Sequence, residues 1–173
     1  MNTIRISPGI SHGRSLIQLV TAPGRFFESR RRELDPVASG GFLIISALLF
    51  TVATLVYHQS QANWISGAIL MGNAVGMVLI LSFVSYIVMV LSVGKKAGFQ
   101  QVFSVYAYAS GASLMAAWVP HLLIFTELWR WGLVGIGLTR GCGLKWTASS
   151  WVIGCSIIVM TILLQSVLPL LHA

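Results

Sequence analysis

The chain has 173 residues, 56% of them hydrophobic and 9% charged, with a formal net charge of +7 and a mean hydropathy of +0.84. A soluble domain is normally about a quarter charged, so a water-soluble globule is excluded and the composition specifies an all-α, polytopic membrane protein. The basic balance suits anionic lipid headgroups better than nucleic acid, and no nucleic-acid partner is expected.

Residues 1–36 carry six arginines against Glu28, Glu33 and Asp35, and they lack the apolar run of a cleavable signal. Within them, the stretch "SLIQLVTAPGRFFESRRREL" combines Leu16, Ile17, Leu19, Val20, Phe26 and Phe27 with an arginine cluster. Ser15 and Gln18 have capping-box spacing. One reading is an amphipathic interfacial helix pair, broken at Pro23-Gly24, that buries the aromatics and offers Arg30, Arg31 and Arg32 to phosphates. The other is a loosely ordered basic tail that only fixes topology.

Asp35 followed by Pro36 predicts a helix start, and a first span over about residues 37–57. After the polar turn "HQSQANW", a second span covers about 65–93. It is longer than a hydrocarbon core of about 30 Å at roughly 1.5 Å per residue, so it must tilt or protrude. "GKKAG" forms the next turn. The third span covers about 99–119 and stops at Pro120. A fourth covers about 122–138, "TRGCGLKWT" forms the last turn, and the fifth covers about 148–168, ended by Pro169. The expected architecture is thus a bundle of five transmembrane helices, residues 37–173, behind a basic segment, residues 1–36.

Ten of the eleven Lys and Arg residues lie in the N-terminal segment and the "GKKAG" and "TRGCGLKWT" turns. Five spans put these on one face, which lysine and arginine mark as cytoplasmic, with the C-terminus outside. Trp64 and Trp118 would lie at the outer interface, and Trp146 and Trp151 at the inner one. Trp129 and Trp131 fit neither belt, because they fall inside the fourth span.

Three stretches resemble the Yip family of five-span, Ypt/Rab-interacting proteins. The first is "LIQLVTAPGRFFES". The second, "VGKKAGFQQVFSVYAYASGASLMAAWVP", supplies Gly94, Phe99, Val102, Tyr108, Ala109, Ser110 and Pro120. The third, "LWRWGLVGIGLTRGCGLKWTAS", supplies Trp129, Leu133, Gly137, Leu138 and Ala148. The resemblance covers about residues 15–170 and implies a Yip-type membrane domain. Eukaryotic members act in vesicle traffic, pair with related membrane proteins and interact with Rab GTPases. With only 36 residues before the first span, a Rab-type GTPase partner is not expected here. A bacterial plasma membrane is the expected location, with an ER or Golgi membrane as the alternative.

The only acid beyond residue 35 is Glu127, three residues before Arg130. A charge at mid-bilayer costs about 2.5–3.5 kcal/mol on insertion scales, and an i, i+3 pair offsets part of that. Asn73, Tyr106 and Tyr108 are candidates to complete the network. Three arrangements stay open: an ion pair near the outer interface anchored by Trp129 and Trp131, a buried structural pair, and a substrate or proton path. Gly72 with Gly76, and Ala107 with Gly111, have the small-x-x-x-small spacing that lets membrane helices approach closely. Packing inside the bundle and a dimerisation face are both consistent with it.

No metal, cofactor or catalytic residue is expected. His58, His121 and His172 come from separate connections, Cys142 and Cys155 give no disulfide framework, and hydrolase motifs are absent. The functional expectation is a non-enzymatic, membrane-organising or partner-binding subunit. Membrane lipids, other membrane proteins or a second copy are its partners, engaged through Arg30, Arg31, Arg32, Lys95, Lys96, Arg140 and Lys145. The alternative is a small-solute or proton permease built on Glu127, Arg130 and Asn73.

Overall fold

The computed structural model describes residues 17–29, 34–57, 63–94, 96–117 and 123–171. These residues form helices and short connections, with no strand among them. Residues 17–21 are helical and lead through Ala22 into α1, Pro23–Ser29. Five longer helices follow: α2, Pro36–Tyr57; α3, Trp64–Val93; α4, Phe99–Ala117; α5, Leu123–Ile136; and α6, Trp146–Leu171. A π-helical turn, Gly137–Gly141, extends α5.

Helix starts follow from local chemistry. Asp35 accepts a hydrogen bond from the Val37 amide through its carboxylate (2.9 Å) and from the Ser39 amide through its carbonyl (3.0 Å), so it is the N-cap that the sequence predicts ahead of Pro36. Asn63 caps α3 by accepting from the Ser66 amide at 2.7 Å. At the start of α4, the Gln101 side chain reaches back to the Gly98 amide at 3.2 Å, the reciprocal half of a capping box. Gly94 ends α3 with φ +82°, a backbone region that disfavours a side chain.

Successive helices alternate in direction. A Cβ on Gly67, near the start of α3, would meet Leu55 and Thr51, near the end of α2. Late in α3, Phe83 and Tyr86 pack their rings on Phe99, the first residue of α4, at 6.1 and 5.8 Å. Helices α2 and α4 run parallel, with Ser39 bonded to Ser104 (3.0 Å) and Phe42 packed on Tyr108. The end of α3 and the start of α6 share a cleft of about 440 Å³ lined by Val93 and Thr147.

Helix α4 is the centre of the bundle, and every residue from 104 to 111 is buried. That stretch, "SVYAYASG", mixes serine, alanine and glycine with two tyrosines, which lets neighbouring backbones come close. A Cβ on Gly111 would stand 2.7 Å from the Phe42 ring. At Gly137 it would overlap Val105, and at Gly141 it would come into van der Waals contact with Leu34 and Val105. The π turn therefore sits where a glycine-lined backbone meets α4. Three buried hydroxyls are linked across the core: Tyr106 and Ser85 share a 2.6 Å bond, and Ser85 donates to Ser156 at 2.8 Å. These bonds tie α3, α4 and α6 together.

Two helices, Pro36–Tyr57 and Trp64–Val93, are long and apolar enough to cross a membrane. The boundaries differ from expectation in two places. The last helix runs through Pro169 to Leu171. Proline lacks the amide hydrogen that would bond back along the helix, and this close to the described end only a single turn feels the loss. The fourth long helix leaves α geometry at Gly137 rather than ending in an open turn, and there its glycine backbone lies close against Val105. Ser15 lies outside the described residues.

Candidate functional site

At the end of the bundle opposite the π turn, α2, α3, α4 and α5 diverge around a cavity of about 360 Å³. Phe50, Leu70, Met77 and Leu114 give it apolar walls, and Asn73, Ser110, Ser113, Thr126, Glu127 and Arg130 line it with polar groups. Counting about 1.5 Å per residue from Leu123, Glu127 is roughly 6 Å and Arg130 roughly 10 Å along α5.

Arg130 donates through Nη2 to Glu127 Oε1 at 2.5 Å, and the Trp131 indole N–H donates to the same oxygen at 3.0 Å. The guanidinium carbon also sits 5.1 Å from the centre of the Trp131 ring, within cation–π range. Side-chain exposure is 25% for Arg130 and 51% for Glu127, so this is a half-exposed pair and not a fully enclosed one. Two polar atoms at the cavity have no hydrogen-bond partner: Ser110 Oγ and Arg130 Nε, both shut off from solvent. Ser113 instead turns back on its own helix, donating to the Ala109 carbonyl at 3.0 Å.

Of the residues singled out in the sequence, the structure brings Glu127, Arg130 and Asn73 to one cavity. Asn73 lines it without bonding the ion pair, whose third member is Trp131, a residue the sequence marks only as an interfacial anchor or a tryptophan outside either belt. Tyr106 belongs to the separate Ser85 and Ser156 cluster. The Tyr108 ring packs on Phe26 at 5.1 Å and on Phe42 at 5.5 Å. Ser110 and Thr126 are site residues that the sequence does not announce as such. Ser110 stands out only within the Yip-like stretch and Thr126 only as a hydroxyl in an apolar helix, and such hydroxyls usually bond their own backbone.

The small-residue pairs divide. Ala107 and Gly111 are buried where α4 meets α2. A Cβ added to Gly72 or Gly76 would meet nothing within 4 Å, so no described helix packs closely on either glycine.

The opposite end of the bundle is basic. Lys96, Arg140 and Lys145 are exposed there, and Arg25, on α1, joins them as a fourth exposed cation that the sequence pattern does not single out. Arg140 lies 3.8 Å from Glu28, an exposed contact of small energetic weight. Arg30, Arg31, Arg32, Lys95, His58, His121 and His172 fall outside the described residues.

The family model of the Yip1 domain matches residues 17–168. The chain belongs to the Yip family. The match spans everything from the helical turn ahead of α1 to the last turns of α6, and with the apolar α2 and α3 it makes this a membrane protein. Neither a curated protein nor a solved structure matches the chain. Yip-family proteins are generally non-enzymatic.

Proposed function

We propose that this Yip-family chain is a non-enzymatic accessory subunit that crosses a bacterial plasma membrane five times and organises partner membrane proteins. Its basic segment, residues 1–36, and the two basic turns face the cytoplasm, and the C-terminus faces outward. The observation that carries the proposal is the separation of charge in the bundle. Arg25, Lys96, Arg140 and Lys145 gather at one end, and lysine and arginine mark the cytoplasmic side of membrane helices.

Helix length supports the count. Helix α4 has 19 residues, α6 has 26, and α5 has 14 before a π turn of 5. At about 1.5 Å per residue each reaches roughly 27 Å or more, close to the hydrocarbon thickness. The cationic end suits anionic headgroups or an acidic partner surface. A Rab-type GTPase is not among the partners proposed.

Photo-cross-linking residues placed at Lys96, Arg140 and Lys145 in intact membranes test this. The proposal expects discrete protein adducts, to one partner or to a second copy, that disappear when the remaining cations of the cluster are replaced by glutamine. Diffuse lipid adducts alone, unchanged by that replacement, would contradict it.

A further inference from the structure

We propose that the cavity between α2, α3, α4 and α5 binds the headgroup of one zwitterionic phospholipid of the ethanolamine type. Its phosphate would lie on Arg130 and Ser110, and its ammonium on Glu127. The proposal rests on the membrane-domain reading and not on the basic face at the other end of the bundle.

Two orphaned polar atoms point to an occupant. Ser110 is 2% exposed, its Oγ lacks a partner, and so does Arg130 Nε. Both are donors and both residues line the same cavity. Buried donors are almost always satisfied, and in a bilayer no bulk water reaches them. A ligand with acceptor oxygens at this position supplies what the protein does not.

Charge selects the ligand. The Glu127–Arg130 pair is neutral as a unit, so a purely anionic headgroup brought to Arg130 would meet the Glu127 carboxylate. Both bonds that Glu127 accepts end on Oε1, and its side chain is half exposed. A headgroup carrying a phosphate and a primary ammonium a few ångströms apart matches both charges, and its N–H groups can donate to a carboxylate.

Shape and depth agree. Phe50, Leu70, Met77 and Leu114 offer apolar wall to the glycerol backbone and the upper acyl carbons. The volume, about 360 Å³, falls in the range of small-ligand sites, about 300–1,000 Å³, and far exceeds the roughly 30 Å³ of one water. The polar lining is one to three turns from the helix ends, the depth at which a headgroup reaches.

The test is native mass spectrometry of the full chain, stripped of lipid in detergent and given phosphatidylethanolamine or phosphatidylglycerol of equal chain length. The proposal expects one phosphatidylethanolamine retained per chain, at least tenfold in preference to phosphatidylglycerol. Ser110→Ala and the charge-free double variant Glu127→Gln with Arg130→Gln should each abolish that preference. Gly72→Ala, on an open face, should keep it. The double variant removes both charges together and so strands neither one; thermal unfolding of each variant confirms that it is folded. Equal retention of the two lipids by the unaltered protein would overturn the proposal, and so would a preference that survives in both cavity variants, the lipid then binding elsewhere on the chain. Glutamine at Lys96, Arg140 and Lys145 should leave the ethanolamine preference intact, which separates this site from the partner-binding face.

Discussion

The ring of Phe26 meets the ring of Tyr108 edge-to-face, with centroids 5.1 Å apart and planes at 81°. A residue that precedes the first long helix is thereby anchored in the central one. Phe27 stands at 5.3 Å from Phe26, and both are fully buried together with Leu19. The apolar side of the N-terminal segment is covered by the bundle itself, while Ile17 and Val20 point away from it. Truncating a buried phenylalanine costs about 3–5 kcal/mol, so Phe26→Ala should lower the unfolding midpoint in detergent markedly. Ile17→Ala, at an exposed position, should change stability by no more than about 0.5 kcal/mol. Equal midpoints for the two variants would mean that α1 is not part of the folded unit.

Glycines along the bundle make a second contrast. Gly111→Ala introduces a methyl 2.7 Å from the Phe42 ring and 3.2 Å from Ser46, so the α2–α4 seam must open. Overpacking of this kind costs about 1–3 kcal/mol. Gly72→Ala and Gly76→Ala meet nothing and add helix propensity of up to about 1 kcal/mol each. Thermal unfolding should rank Gly111→Ala below the unaltered chain and Gly72→Ala at or above it. The reverse order would place the close helix contact at the wrong pair.

The hydroxyl cluster gives a third. Removing the Tyr106 hydroxyl leaves Ser85 with Ser156 alone, and removing Ser85 isolates the tyrosine hydroxyl in the core. Leaving a buried polar group unpaired costs about 1–3 kcal/mol, so Ser85→Ala should be the more damaging change. A double-mutant cycle between Ser85→Ala and Tyr106→Phe in reconstituted protein measures their coupling. A cycle that closes with no coupling would show that the 2.6 Å bond contributes nothing.

Helix positions are largely legible in the sequence because caps and turns are local chemistry. Asp35-Pro36, Asn63 and Gly94 act within a few residues of themselves, and the structure uses each at a helix end. Features that depend on a distant partner are not legible. Nothing near Gly137 announces the π turn or its close approach to Val105, a residue on a different helix far earlier in the chain. The fate of Phe26 depends on Tyr108 in the same way. At the cavity, the i, i+3 spacing of Glu127 and Arg130 reveals the ion pair, and Asn73 shares the cavity with it as the sequence suggests. Trp131, one turn from Glu127, donates to it in the structure, a role that its reading as an interfacial anchor does not announce. The role of Ser110 is not legible either, because its significance lies in a hydrogen bond that the helix does not make.

The sidedness of the chain is the claim on which the function rests. Single cysteines at Lys96 and at Ala173, in a background where Cys142 and Cys155 are serine, can be labelled with a membrane-impermeant maleimide on spheroplasts. The account predicts that the Ala173→Cys protein is labelled from outside and that the Lys96→Cys protein is labelled only after the membrane is opened. Protection of position 173 together with labelling of position 96 would contradict it.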